Sequence, residues 1–341
     1  MPRHPKARTA RCDIALLVDQ EAGHRGRDGA FVPDRNSVEA YLLAELVARH
    51  GHVVAVPFES DVAATVAALA ALKPRLVFNI TECLDGNRRL DHSIAGVLDL
   101  MGLAYTGTGP AGLLLARDKA LSKHIVASRG VAVPRYVVAT GVGDLRHHGL
   151  AFPLIVKPQF GDASEAISRA ALVRDDAALR ARVRAVTRRL GPVICEEFVP
   201  GRDLYVGLIG NARPEVVQPV ELVIGRRHRA APLFATEQLK GSGSYRTRWR
   251  VSWRRARLHD ALLAQIRRAS RAVFAALEFR DYGRVDFRLA PDGRLVFIEA
   301  NPNPDLHPHA YGNHFNLGGG PYRDLVERIV RAARRRCAAE G

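Results

Sequence analysis

Two strand-like runs near the C-terminal end carry residue types that bind metal ions and phosphates. A Pro-Asp-Gly turn signal at 291–293 separates the two runs, which predicts a β-hairpin. Side chains alternate between the two faces of a strand, so polar residues two positions apart should point the same way. We expect one face to carry Arg284 and Asp286 on the first strand, and Phe297, Glu299 and Asn301 to share a face on the second.

The chemistry of this predicted hairpin is that of a metal–phosphate site. Two carboxylates and an amide carbonyl are the oxygen ligands that suit Mg²⁺ holding a polyphosphate. The guanidinium of Arg284 can neutralise phosphate charge beside them. The alternative is an exposed hairpin held by salt bridges. Acidic side chains are disfavoured on strands, so we prefer the metal interpretation.

Two further patterns each give a weak signal for nucleotide binding. Lys157 ends an apolar run, where a buried ammonium is costly unless it meets an anion or solvent. The glycine-containing loop at 158–164 follows, and its backbone N–H groups could cover phosphates. The apolar run 193–198 leads through a short linker to Asp203. It could offer backbone groups to an adenine, and Asp203 could accept hydrogen bonds from ribose hydroxyls.

The elements that would position these groups follow from the apolar periodicity. Up to about residue 110, short apolar runs alternate with helical patterns, which predicts a parallel, doubly wound α/β sheet. A flexible Gly/Ser segment is expected at 240–244 and a long loop before Tyr311. The predicted strands are 13–18, 53–57, 76–80, 152–157, 193–198, 203–209, 216–224, 282–289 and 294–299. The predicted helices are 37–50, 61–72, 91–101, 119–128, 177–190, 258–277 and 322–335.

The charge of the chain raises the question of a polyanionic partner. The formal net charge is +16, a value that can indicate nucleic-acid binding. The arginines, however, concentrate in helical segments such as 180–189 and 331–336, and aromatic residues make up only 6% of the chain. We therefore expect no nucleic-acid partner, and interpret the positive charge as an Arg-rich surface that also suits anionic substrates.

Hydropathy and cysteine usage indicate a cytoplasmic protein. No apolar run approaches the roughly 20 residues needed to cross a bilayer, so no membrane association is expected. The basic N-terminus is followed directly by a strand-like run and lacks the pattern of a signal peptide. The four cysteines are scattered, which favours inert, reduced thiols over a redox or metal role.

Taken in order along the chain, these patterns resemble the D-alanine–D-alanine ligases and their ATP-grasp relatives. The resemblance runs from about residue 76 to the end, and more loosely over the N-terminal segment. No single motif is decisive, but the ordered set is specific. The segments that carry it are Phe78-Asn79, Tyr105-Thr106-Gly107, Asp118-Lys119, Ile155-Val156-Lys157-Pro158, Glu196 to Asp203, Gly283-Arg284-Val285-Asp286 and Glu299-Ala300-Asn301-Pro302.

The resemblance implies both a fold and a set of site residues. The fold would combine α/β and α+β parts, as an ATP-grasp fold with an N-terminal parallel α/β (pre-ATP-grasp) domain. Its domains would be an α/β domain at 1–115, a central ATP-grasp lobe at 116–205 and a C-terminal lobe with the metal site at 206–341. The implied nucleotide-binding residues are Lys119, Lys157, Glu196, Glu197, Val199 and Asp203. The implied metal ligands are Asp286, Glu299 and Asn301, and the implied catalytic residues are Arg284, Lys240 and Ser164.

The activity implied by the resemblance is ATP-dependent ligation of a carboxylate to an amine through an acyl phosphate, with release of ADP. The cofactors would be ATP and two Mg²⁺ ions, with Mn²⁺ as an alternative ion. The substrates would be amino acids or small peptides, and relatives of this kind are commonly homodimers. The sequence departs from the family in the segments that should select substrate, such as 81–86 and 303–307. A ligase for other amino acids or peptides, or a catalytically silent ATP-binding module, therefore stays open.

Overall fold

The computed structural model describes residues 12–161, 168–225, 234 and 243–340. The described strands are β1 (Ile14–Asp19), β2 (Gly23–Arg25), β3 (Phe31–Pro33), β4 (Val53–Phe58), β5 (Leu76–Asn79), β6 (Tyr136–Ala139), β7 (Leu154–Pro158), β8 (Leu172–Val173), β9 (Val193–Glu197), β10 (Arg202–Ile209), β11 (Glu215–Val216), β12 (Val220–Val223), β13 (Ser252–Arg255), β14 (Tyr282–Leu289) and β15 (Leu295–Asn301). The described α-helices are α1 (Val38–Val47), α2 (Val62–Leu72), α3 (Asp91–Leu100), α4 (Pro110–Arg117), α5 (Lys119–Ser128), α6 (Asp176–Leu190), α7 (Gly243–Arg248), α8 (Asp260–Ala276), α9 (Tyr311–Gly318) and α10 (Tyr322–Glu340).

The N-terminal part contains the predicted parallel sheet, with strand order β4-β1-β5. Residues 14–18 of the central strand are all fully buried, because helices cover both faces of the sheet. One face packs against α1 and the C-terminal helix α10, and the other packs against α2 and α3. The predicted strands and helices of this part are confirmed, and the side chains of Ser37 and Asp61 cap the first two helices.

A second sheet, of order β6-β9-β7-β8, forms the central part of the chain. Its pairings are antiparallel, and α6 packs on one face around Leu154, Val156 and Val193. The linker that follows β9 turns at Gly201, whose φ is +139°. A Cβ there would lie 2.1 Å from the carbonyl oxygen of Leu289, so the close approach to β14 requires glycine.

The largest sheet lies in the C-terminal part, with strand order β13-β12-β10-β14-β15 and antiparallel pairing throughout. Helices α5 and α8 cover its apolar face, to which alternate residues such as Leu204, Val285 and Phe287 contribute. The predicted hairpin of β14 and β15 is therefore confirmed. The opposite face of the sheet carries the polar residues of the hairpin.

One detail of the hairpin was wrong in the sequence analysis. Phe297 was expected to share a face with Glu299 and Asn301, but it pairs with Phe287 and is fully buried in the apolar core. The register shifts between Asp286 and Phe287, so that β15 carries one extra residue there. A β-bulge of this kind shifts the in-and-out alternation of the side chains by one residue. A prediction that assumes strict alternation along the strand cannot anticipate this shift.

Further elements differ from the predictions: the strands β2, β3, β6, β8 and β13 and the helices α4 and α7 were not predicted, and two other differences have a clear physical reason. The single strand expected at 216–224 is interrupted into β11 and β12, with Pro219 in the break, where it has no N–H to donate to a ladder. Helix α9 was missed because its two glycines and two asparagines are poor helix formers. Its Tyr311 and Phe315 are buried in the N-terminal core, and this packing stabilises the helix despite its composition.

The C-terminal helix joins distant parts of the chain through a buried ion pair. The guanidinium of Arg336 lies 3.0 Å from the carboxylate of Asp281 and also donates to the carbonyl oxygen of Tyr105 at 2.7 Å. The same carboxylate accepts from the backbone N–H of Gly107 at 2.9 Å. Three chain segments far apart in sequence therefore meet at one carboxylate. None of the helices within the described ranges is long and apolar enough to cross a membrane.

This network generates a stability prediction. Replacing Arg336 by methionine leaves the fully buried carboxylate of Asp281 without its cation, and we expect the free energy of unfolding to fall by about 3 kcal/mol. The matched control is Arg335→Met on the same helix, because Arg335 is exposed and its loss should cost less than about 0.5 kcal/mol. Chemical denaturation followed by circular dichroism measures both. Equal unfolding curves for the two variants would contradict the network's role.

Candidate active site

The floor of the candidate site is the polar face of β10, β14 and β15. Along β14 the guanidinium of Arg284 grips Asp286 with two hydrogen bonds, of 2.7 and 2.9 Å. Tyr205 lies directly across from Asp286, and its ring lies under the guanidinium, 5.4 Å from the ring centre. Burial raises the pKa of Tyr205 well above its ordinary value, so its phenol is neutral at physiological pH.

The predicted metal ligands face one another across the hairpin. Asp286 pairs with Glu299, and Arg284 pairs with Asn301, so all four side chains share one face. The side-chain nitrogen of Asn301 is buried and has no hydrogen-bond partner among the described residues. Two carboxylates and an amide on adjacent strands fit the oxygen-rich ligand set that Mg²⁺ prefers. Within the described residues no group of three or more His, Cys, Asp or Glu side chains is arranged to hold a metal.

The predicted residues line two adjoining cavities, of about 550 and about 70 Å³. Tyr205 and Glu299 line both, so the two spaces meet at the metal-ligand face. The predicted residues in the wall of the larger cavity are Lys119, Arg284, Glu299 and Asn301. Those in the wall of the smaller one are Lys157, Glu196, Glu197, Val199, Asp203, Asp286 and Glu299. Ser164 and Lys240 lie outside the described residues.

A buried charge cluster forms the back of the smaller cavity. The carboxylate of Glu196 lies 3.0 Å from the ammonium of Lys157 and 3.1 Å from that of Lys123. Burial alone would raise the pKa of Glu196, but the two lysines outweigh it and hold that pKa below its ordinary value. Sequence reasoning missed Lys123. Its spacing of four from Lys119 on one helix was an available signal, because such residues share a helix face.

The other residues that were predicted to bind nucleotide lie where the two lobes approach each other. The ammonium of Lys119 donates to the carbonyl oxygen of Gly161 at 2.6 Å, next to the segment 162–167. Asp203 lies 2.7 Å from the guanidinium of Arg288, its cross-strand partner. Glu197 is half-buried and lies 3.1 Å from the guanidinium of Arg135. Each of these groups faces a cavity and is positioned by a neighbouring element.

The far wall of the larger cavity is aromatic, which sequence reasoning also missed. Trp253 of β13 lies 4.2 Å from the ring of His314 on α9, and the ring of Tyr205 lies 4.9 Å from that of Trp253. Asp91 and Arg117 form an ion pair that also lines this cavity. These residues come from five elements, and no local spacing in the sequence brings them together.

The architecture defines the class of protein. A D-alanine–D-alanine ligase from Bacillus anthracis, solved in complex with ATP, superposes with a TM-score of 0.72 over 97% of this chain and 99% of that chain, at 18% identity. The two α+β lobes and the parallel α/β part that precedes them therefore have the ATP-grasp fold, as the sequence predicted. The predicted domain boundaries stay predictions.

Similarity in sequence narrows the class to a family. The family model described as D-ala D-ala ligase C-terminus matches residues 125–331, and the chain belongs to that family. A protein from Sinorhizobium fredii named y4sG and described as uncharacterized is 31% identical over 268 residues, 78% of this chain and 76% of that protein. A D-alanine–D-alanine ligase from Geobacter sulfurreducens is 28% identical over 274 residues, 76% of this chain and 78% of that protein.

The buried cluster generates a second stability prediction. Glu196→Gln leaves two buried ammonium groups without a counter-ion, and we expect a loss of about 3 kcal/mol at pH 7. The adjacent Glu197→Gln removes a partly exposed pair with Arg135 and should cost about 1 kcal/mol or less. Urea titrations of both variants and the wild type give the comparison.

The stability difference between the wild type and Glu196→Gln should change with pH in one direction only. The pKa of Glu196 is lower in the folded chain than in the unfolded one, where it is about 4.3. Its contribution is therefore fully present above that value and is lost as pH falls through the folded pKa. A wild-type advantage that grew on acidification would contradict the ionised, lysine-paired carboxylate.

Proposed function

We propose that this protein is an ATP- and Mg²⁺-dependent ligase that joins a carboxylate to an amine and forms an amide bond, ADP and phosphate. One observation carries the proposal: every described residue predicted to bind nucleotide, phosphate or metal lines one of two joined cavities. Membership in the D-ala D-ala ligase C-terminus family supports it as well. A retained set of metal ligands is more than a simple nucleotide sensor would need.

The smaller cavity would take the adenosine part of ATP. Glu196 and the backbone near Glu197 and Val199 would hold the adenine, and Asp203 would accept hydrogen bonds from the ribose. Lys157 reaches the same cavity from the end of β7, where its ammonium would meet a phosphate. Asp203 would then accept these hydrogen bonds beside its ion pair with Arg288.

Asp286, Glu299 and Asn301 would hold Mg²⁺, and we propose two ions, with Mn²⁺ able to replace them. Such ions would neutralise charge on the phosphate oxygens of ATP. Arg284 donates one hydrogen bond to each carboxylate oxygen of Asp286, and these two bonds fix the orientation of that carboxylate beside Glu299. Arg284 would donate to the transferred phosphoryl group in place of one of its hydrogen bonds to Asp286.

The reaction follows from the charges around the larger cavity. An oxygen of the substrate carboxylate attacks the γ-phosphorus of ATP, the bond to the β-phosphate oxygen breaks, and ADP leaves. Lys119 and Arg284 stabilise the negative charge on the transferred group. The amine then attacks the acyl phosphate carbon and expels phosphate as the amide forms. Ser164 and Lys240, which lie outside the described residues, would complete the cover over the phosphates and exclude water.

The substrates would be amino acids or small peptides, as in the ligases of this family. D-alanine is one candidate, and other amino acids fit at least as well, because the segments 81–86 and 303–307 depart from the pattern of the family. We also propose a cytoplasmic location, where ATP is available and the four free cysteines would stay reduced. A homodimer is the assembly we propose for the active protein.

The test of function is release of ADP from ATP and Mg²⁺ with a panel of D- and L-amino acids, supplied singly and in pairs. We expect ADP release that depends on one pair and yields the corresponding amide. Glu299→Gln removes one metal-binding charge and should lower turnover by more than about 100-fold, because loss of metal-based charge stabilisation is worth several kcal/mol. Asp292→Asn, at the exposed turn of the same hairpin and outside both cavities, is the matched control and should retain most of the activity.

Two outcomes would count against this proposal. Tight ATP binding without ADP release for any pair would indicate a catalytically silent module. Full turnover by Glu299→Gln would show that the metal ligands are assigned wrongly.

A further inference from the structure

Lys123 is a fully buried lysine that is not among the residues lining either cavity. It lies on α5, one turn beyond Lys119, and its side chain has no exposed surface. An ammonium out of contact with water costs several kcal/mol unless strong partners compensate it. Packing alone would be satisfied by an unbranched apolar side chain of similar length. The contacts of the ammonium therefore indicate what the charge does.

The ammonium of Lys123 joins the two lobes. It lies 3.1 Å from the carboxylate of Glu196, on β9 of the central sheet. It also donates to the carbonyl oxygen of Ile298 at 2.6 Å, on β15 of the C-terminal sheet. The other oxygen of Glu196 is 3.0 Å from the ammonium of Lys157. One side chain thus links the wall that would hold the nucleotide to the strand that carries the metal ligands.

The position of Ile298 gives this link its significance. Ile298 lies at the β-bulge, between Phe297, which faces the core, and Glu299, which faces Asp286. A bulge leaves an extra residue outside the regular ladder, so its carbonyl needs another donor. The ammonium of Lys123 supplies it. The peptide that begins at this carbonyl leads directly to Glu299, so its orientation affects where the Glu299 carboxylate points.

We propose that Lys123 is a positioning residue: by holding the bulge carbonyl of Ile298 and the carboxylate of Glu196 together, it sets Glu299 in register with Asp286 for metal binding. Lys123 touches neither nucleotide nor metal in this role. It acts by fixing the backbone carbonyl that precedes Glu299, in the way that residues outside the ligand set orient metal ligands in other proteins. The inference rests on the proposed function, because it assigns Glu299 and Asp286 to a metal.

The test measures metal binding directly, without turnover. Free Mn²⁺ is followed by its electron paramagnetic resonance signal in the presence of the non-hydrolysable ATP analogue with a β,γ-imido bridge. In Lys123→Met we expect the dissociation constant for Mn²⁺ to rise by about 10- to 100-fold. Lys123→Arg keeps the charge and a donor, and should recover most of the affinity. His124→Met, the exposed neighbour on the same helix, is the matched control and should leave the affinity unchanged.

A second variant separates positioning from folding. Lys123→Met leaves Glu196 with one counter-ion fewer, so the variant is combined with Glu196→Gln to avoid an unbalanced buried carboxylate. We expect the double variant Lys123→Met/Glu196→Gln to fold, as judged by thermal unfolding, and to bind Mn²⁺ more weakly than Glu196→Gln alone, because Ile298 has lost its donor. Equal Mn²⁺ affinity in the double variant and in Glu196→Gln would overturn the proposal, since Lys123 would then serve only as a counter-ion.

The outcomes also separate this inference from the proposed function. Equal Mn²⁺ affinity in the wild type and Lys123→Met would overturn the role of Lys123 and leave the ligase proposal standing. A loss of affinity in Lys123→Met, together with no ADP release by the wild type on any substrate, would support the role of Lys123. The same result would contradict the ligase activity.

Discussion

A single buried carboxylate constrains the centre of this molecule. Glu196 is almost fully buried and is in contact with two ammonium groups, Lys123 and Lys157, that come from different elements. Two cations and one anion can share a buried site only when the distances are short and further acceptors are present. These short distances require α5, β7 and β9, which carry Lys123, Lys157 and Glu196, to lie next to one another. This arrangement also leaves a positive charge at the cavity wall, where a polyphosphate would be stabilised.

The C-terminal sheet depends on the same centre, through the carbonyl of Ile298. Its apolar face is an ordinary core of leucine, valine and phenylalanine side chains, covered by α5 and α8. Its other face holds the charged residues of the candidate site. The β-bulge at Ile298 changes the alternation of side chains along β15. As a result Phe297 lies in the core, while Glu299 faces Asp286 on the other face. Core packing and site geometry are thus set by the same few backbone positions.

Much of the fold follows from the sequence, because the apolar runs are long and well separated. The strand predicted at 13–18 is present and its residues 14–18 are fully buried, and the helices predicted at 37–50 and 119–128 are present, capped by Ser37 and Asp118. Strand alternation was enough to group Arg284, Asp286, Glu299 and Asn301, and the full set of site residues came from the ordered resemblance. Spacing could not join Lys119 to Asn301, since the two line one cavity only in the folded chain.

The features that escaped prediction depend on tertiary contacts. The bulge at Ile298 cannot be read from a period of two, and the helix at Tyr311 forms against its own composition because its aromatic side chains are buried. The role of Lys123 depends on where α5 docks, which its amphipathic pattern leaves open. The aromatic wall of Trp253 and His314 is assembled from separate elements in the same way.

The central claim is that a substrate carboxylate is activated by phosphorylation. Its most direct test labels the carboxylate oxygens of the acyl donor with ¹⁸O and follows them by mass spectrometry during amide formation with ATP and the amine. Attack by the carboxylate on the γ-phosphorus, then expulsion of phosphate, predicts one labelled oxygen in the inorganic phosphate for each amide formed. Phosphate without label, its new oxygen taken from water, would show that ATP is hydrolysed without activating the acid, and would contradict the account.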